Sequence, residues 1–227
     1  MKNYIKNSEI LKKNHVYSEE MEHDACGVGL IASTEGKKSR KVVEYGIEAL
    51  KAVWHRGAVD ADGKTGDGAG IHVEIPKDFF IEKIEVTGHN HDNSEICVGM
   101  IFLPRNDYAA QENCKTIVES ELTKNDFSIY GWRQVPVNPK VLGEKAFQTM
   151  PEIIQVLFKS NNPDLLNKDL ERKIYETRRI IENKAFQISL NNFYICSLSS
   201  KSIIYKGMFL AEAISEFFLD LKDERFV

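Results

Sequence analysis

The hydrophobic positions fall into short, strand-sized runs separated by stretches with helical spacing. Gly27–Ser33 is apolar enough to read as a buried strand, and Ser39–Arg56 places Val43, Ile47, Leu50 and Trp54 on one helical face. Beyond the glycine-dense stretch Gly63–Gly70, Ile71, Val73 and Ile75 alternate with His72 and Glu74, which predicts a half-buried strand. Pro76 starts a short helix through Phe79 and Phe80, and polar Thr87–Ser94 reads as a loop with no apolar side chain to anchor it. Ile96–Leu103, Phe127–Trp132 and Ile153–Phe158 are predicted strands, Asp107–Leu122 a helix, and Val135–Pro139 an extended turn. Pro163–Asn183 is the clearest helix, with Leu166, Leu170, Ile174 and Ile181 inward and Arg172, Lys173, Arg178 and Arg179 outward. Phe193–Leu198 and Ser202–Lys206 read as paired strands, and Leu210–Leu221 as a closing amphipathic helix.

Strands in adjacent groups with helices between the groups predict a layered α+β or α/β architecture. At 227 residues and 42% hydrophobic content the chain suits one domain with an ample core. A net charge of −4 provides no basic field for nucleic acid or anionic lipid. No apolar stretch approaches the ~20 residues that cross a bilayer, so neither a nucleic-acid nor a membrane partner is expected. Met1–Ala25 mixes Lys with Glu and Asp and lacks the apolar core of a secretory signal. Four scattered cysteines without metal-type spacing fit a reducing, cytoplasmic setting.

Cys26, followed by Gly27 and Gly29, is the first candidate for chemistry. As residue one of a processed chain it would carry its own general base, because an α-amine titrates near ~8 and a thiol near ~8.5. Without that processing it reads as a small core residue beside an apolar run. In Trp54-His55-Arg56-Gly57-Ala58, His55 and Arg56 either cap the helix, or Arg56 is carried to a site rim where its guanidinium holds a carboxylate. The loop Gly66-Asp67-Gly68-Ala69-Gly70 lacks the ending of a phosphate-binding loop and precedes a strand. A tight turn in which Asp67 accepts backbone amides accounts for its glycines. His89 and His91 have no recognisable metal-ligand partners and read as a solvated loop.

Three blocks, Asp24-Ala25-Cys26-Gly27-Val28-Gly29, His55-Arg56-Gly57-Ala58 and Thr65–Ile71, together resemble the start of the glutamate synthase large chain. So do Val98–Pro104, Gly131-Trp132-Arg133, Val135–Asn138, Glu171-Arg172-Lys173 and Phe193–Ser200, in order from about Glu22 onward. The resemblance implies a class II glutamine amidotransferase domain at 26–227 behind a leader at 1–25. Its fold would be α+β, the four-layer αββα sandwich of the N-terminal-nucleophile hydrolases. It implies cleavage before Cys26, attack of the Cys26 thiolate on L-glutamine, and Gly27, His55, Arg56, Gly57 and Asp67 supporting the site. No cofactor is implied for this chain. FMN and an iron–sulfur cluster belong to the full-length enzyme, whose other partners are the rest of the large chain and a small subunit or ferredoxin.

Members of that family also carry a His-Ser-Arg-Phe-Ser-Thr-Asn-like block, whose arginine holds the substrate carboxylate, and a His-Asn-Gly-Glu block that forms the oxyanion hole. Neither Ser-Thr-Asn nor Asn-Gly occurs in these residues, so the resemblance covers only the first part of the domain. Two readings follow: a glutaminase portion, or a non-catalytic fragment that complements the rest of a synthase. Another class II amidotransferase is a third, which the Gly131–Asn138 and Tyr194–Ser200 blocks disfavour.

Overall fold

A computed structural model of the chain describes residues 6–7, 9–10, 27–53 and 58–227. Helix α1 (Arg40–Ala52) begins at Ser39, whose side chain accepts the Lys41 amide. It packs Val43 and Ile47 onto strand β1 (Ala69–Glu74). Helix α2 (Lys77–Val86) runs a full turn beyond Phe80 and buries Phe79, Phe80 and Ile84. Strand β2 (Cys97–Leu103), helix α3 (Tyr108–Lys124), strand β3 (Phe127–Gln134) and the short helix α4 (Glu144–Thr149) follow. Then come strand β4 (Glu152–Ser160), helix α5 (Asn167–Gln187), and strands β5 (Tyr194–Ser199) and β6 (Ser202–Gly207).

The strands form two antiparallel sheets, one of order β3-β4-β2-β5 and one of β1 with β6. Alternation along β2 and β4 divides the core. Cys97, Ile101, Leu103, Ile154, Val156 and Phe158 meet α3 and α5 on one face. Val98, Met100, Ile153 and Leu157 share the second core with β1, β6, α1 and α2. Packing therefore runs from a helix pair through two sheets to α1, an α+β sandwich.

Five sequence expectations are corrected. Gly27–Ser33 forms no strand, and Val28 and Leu30 are 90% and 89% exposed. Its two glycines add backbone entropy without side chains to pack, and β1 is laddered along its β6 edge alone among the described residues. Strands β5 and β6 are not partners: β5 ladders with β2 and β6 with β1. Glu171 on α5 is the cause, accepting the Ser200 amide (2.6 Å) and the Ser199 and Ser200 hydroxyls, which turns the chain from one sheet into the other.

Leu210–Leu221 is not one helix but a 3-10 turn (Ala211–Ala213), one α turn (α6, Ile214–Phe217) and a second 3-10 turn (Leu219–Lys222). Phe218 is extended there because it forms a β-bridge with Val137, with Asn138 N donating to Phe217 O and Leu219 N to Pro136 O. Tertiary pairing overrides the local pattern. Helix α5 starts four residues late, since the Asn162 side chain accepts the Asp164 amide and holds a turn; Leu165 packs inward and Leu166 is 53% exposed. Arg178, expected to face solvent, is half-buried and donates to Ile195 O at 2.7 Å.

The C-terminal turns are tied to the first helix. Arg40 donates to the carbonyls of Leu221 (2.8 Å) and Asp223 (3.0 Å), and more loosely to that of Phe226.

Candidate active site

Of the site residues expected from sequence, Gly27 and Asp67 are described; Cys26, His55, Arg56 and Gly57 lie outside the described residues, as does most of the leader. Gly27 borders two cavities. One, of about 700 Å³, lies between the Gly27–Ser39 segment, α1 and β1. The other, of about 920 Å³, is walled by Val59, Asp67, His72, Tyr194, Lys206 and Met208 among others. Its walls thus combine the loop before β1, the outer face of the small sheet, and Phe102 and Tyr194 of the larger one.

That loop is a narrow hairpin. Val59 and Gly66 form an antiparallel bridge, Asp60 N donates to Thr65 O, and Asp67 N donates to Ala58 O. By chain connectivity it follows directly on His55-Arg56-Gly57 and leads out through Asp67. The carboxylate that organises it is Asp62, not Asp67. Asp62 Oδ1 accepts the Lys64 and Thr65 amides (2.9 and 2.7 Å) and Oδ2 accepts the Thr65 hydroxyl (2.6 Å). Those bonds, the hydroxyl first, hold its carboxyl well below the usual range. Asp67 is exposed, and its carboxylate accepts no hydrogen bond among the described residues. The sequence signal for Asp62 was present: an Asp two and three residues before the amides it accepts is the Asx-turn pattern.

The amides of Asp60, Gly63, Lys64, Thr65 and Asp67 are thus taken up within the loop itself. Among the described residues no group of three or more His, Cys, Asp and Glu is placed to hold a metal ion. His89 Nδ1 meets Thr87 Oγ1, and His91 Nε2 meets Ser94 O. Their loop is not adrift: Tyr130 donates to Asp92, which also pairs with Lys159. No described helix is long and apolar enough to cross a membrane.

On the opposite wall Lys206 Nζ donates to Tyr194 OH at 2.7 Å and sits 4.5 Å from that ring's centroid. Tyr194 in turn leans on Phe102, ring centroids 5.8 Å apart. Nothing in the pattern of charged positions distinguished Lys206 from an ordinary exposed lysine.

Three of the four cysteines are buried. Burial raises Cys114 and Cys196 to about 11 and Cys97 further still. At neutral pH these three thiols are protonated and screened.

The sequence pattern of the class-II glutamine amidotransferases matches residues 26–227. The chain is 54% identical over 220 residues to the NADPH glutamate synthase large chain of Azospirillum brasilense, covering 97% of this chain and 14% of that protein. It is 41% identical over 205 residues to ferredoxin-dependent glutamate synthase 1 of Arabidopsis thaliana, and 38% over 207 residues to the spinach ferredoxin-dependent enzyme. In those two the matches cover 89% and 90% of this chain but 12% and 13% of the relative, so the chain spans about an eighth of the length of the curated relatives it matches. On this pattern, and with a fold of two antiparallel sheets between helices, the chain belongs to the class-II glutamine amidotransferases.

Proposed function

We propose that the chain is the glutaminase portion of a glutamate synthase, with Cys26 as the nucleophile of a chain processed after Ala25. The observation that carries this is the contrast among the thiols: three are buried and raised in pKa, while the fourth stands where the amidotransferase match begins. The thiolate attacks the side-chain amide carbon of L-glutamine, and the tetrahedral adduct expels ammonia after the Cys26 α-ammonium protonates the leaving nitrogen. The α-amine then takes a proton from water, which adds to the γ-glutamyl thioester and releases glutamate and the free thiol. Arg56 supplies a guanidinium for a carboxylate, and Gly27, His55, Gly57 and Asp67 shape the surrounding wall.

The ammonia passes to 2-oxoglutarate on a synthase region outside these residues, which would also hold FMN and the iron–sulfur cluster. Its electrons would come from a small subunit or ferredoxin, the donors suggested by the relatives' names. The working location is cytoplasmic, although several plant relatives are named as chloroplastic.

Intact mass and ammonia release test the reading together. The expected result is an N-terminus at Cys26 and glutamine hydrolysis abolished by Cys26→Ser. An unprocessed chain whose Cys26 ignores a glutamine-analogue electrophile would overturn it.

A further inference from the structure

We infer that Thr65 and Asp62 are positioning residues, a latch between the N-terminal turn of α4 and the hairpin that walls the candidate glutamine pocket; this rests on the amidotransferase reading above.

The hairpin tip is joined to α4 at several points. Thr65 is 2% exposed, and its hydroxyl both donates to Asp62 Oδ2 (2.6 Å) and accepts the Ala146 amide (3.3 Å). A single hydroxyl therefore relays between the loop carboxylate and a free amide of the helix's first turn. Lys145 Nζ donates to Asp60 Oδ2 at 2.7 Å on the solvent side. Gly143, the residue before α4, abuts the same spot: a Cβ there would come within 2.6 Å of Thr65 N and strike the Asp62 carboxylate.

The base of the hairpin is pinned independently, since a Cβ on Gly66 would lie 2.8 Å from the Phe209 backbone. Between these anchors the two hairpin strands are cross-linked by the Ala58–Asp67 and Asp60–Thr65 bonds. A shift at the tip is thus passed to Ala58, the neighbour of Gly57, and to Asp67 on the pocket wall. Helix α4 touches no substrate; it acts through the loop.

The test compares Thr65→Val, which keeps the shape and removes the relay, with Thr65→Ser, which keeps the hydroxyl. Two reagents are applied to the full chain: iodoacetamide, which reads thiol access, and a glutamine-analogue diazoketone, which also needs the pocket. Thr65→Val is expected to lower diazoketone alkylation of Cys26 about tenfold with the iodoacetamide rate unchanged, and Thr65→Ser to restore it. Amide hydrogen exchange supplies the second readout, with protection of Ala58–Asp67 lost in Thr65→Val and retained in Thr65→Ser. Unchanged loop protection in Thr65→Val, or equal effects of Val and Ser, overturns the latch. A wild-type chain that reacts with iodoacetamide and not with the diazoketone overturns the nucleophile reading instead, and the exchange data alone then decide the latch.

Discussion

Arg133 and Asp220 meet through two parallel hydrogen bonds, Nη1 to Oδ2 at 2.7 Å and Nη2 to Oδ1 at 2.8 Å, with the carboxylate almost wholly buried. Arg133 also donates to Gln155, and the Tyr205 hydroxyl donates to Asp220 at 3.0 Å. The group joins β3, β4, β6 and the last 3-10 turn across the second core. Removing one partner leaves a buried charge uncompensated, so Asp220→Ala should cost about 3–5 kcal/mol. Urea denaturation measures this; an unchanged midpoint would show that the pair holds nothing together.

The thiols make a count that can be read directly. Native chain treated with a disulfide reagent near pH 7.5 should release about one equivalent quickly, and four in denaturant, with peptide mapping placing the fast label on Cys26. Rapid labelling of Cys97, Cys114 or Cys196 in the native protein would remove the contrast on which the nucleophile rests.

Gly99 sits in the middle of β2 with neighbours on both sides. A Cβ there would lie 2.6 Å from Leu198 Cδ1 and 2.6 Å from Val156 Cγ1. Overpacking of this kind costs about 1–3 kcal/mol, so Gly99→Ala should lower Tm, and Val156→Ala in the same chain should recover part of the loss. Additive loss in the double variant would mean that the sheet shifts rather than clashes.

Acid sensitivity follows from Asp223. The Arg225 guanidinium, then desolvation in the opposite sense and the Arg225 amide, bring its carboxyl to about 2. A depressed carboxyl stabilises the fold above its unfolded value near ~3.9, and that contribution disappears as the pH falls through the folded value. Stability should therefore drop between about pH 4 and 2, with a flatter profile in Arg225→Leu. After screening the share of this one pair is on the order of 1–2 kcal/mol. Asp92, lowered chiefly by Lys159 and then Ser94, loses its contribution in the same direction. Identical acid profiles for wild type and Arg225→Leu would show that Asp223 is not the group responsible.

Elements defined by their own side chains were readable in advance. Ile174 and Ile181 face inward on α5, and Ile71 and Val73 alternate on β1, because spacing alone decides which face is apolar. What escaped was set at a distance. Glu171 decides that β5 and β6 part company, and Val137 decides that Phe218 is extended; neither partner is near in sequence to what it governs. At the candidate site, Cys26, Arg56 and Asp67 stand out from their neighbours in the sequence, and resemblance to a family adds the roles implied for them. Asp62, Thr65 and Gly143 were missed because their relation becomes visible only when α4 is folded against the loop. A glycine preceding a short helix carries no mark of the carboxylate it makes room for.

The three carbonyls held by Arg40 impose an order on synthesis. The Leu221 carbonyl that it binds is made 181 residues after Arg40 itself, roughly 10–35 s later at ordinary ribosomal rates. Throughout that interval α1 has no final berth, and β1 likewise awaits β6. Helix α1 and strand β1 are therefore made early relative to their partners and settle late.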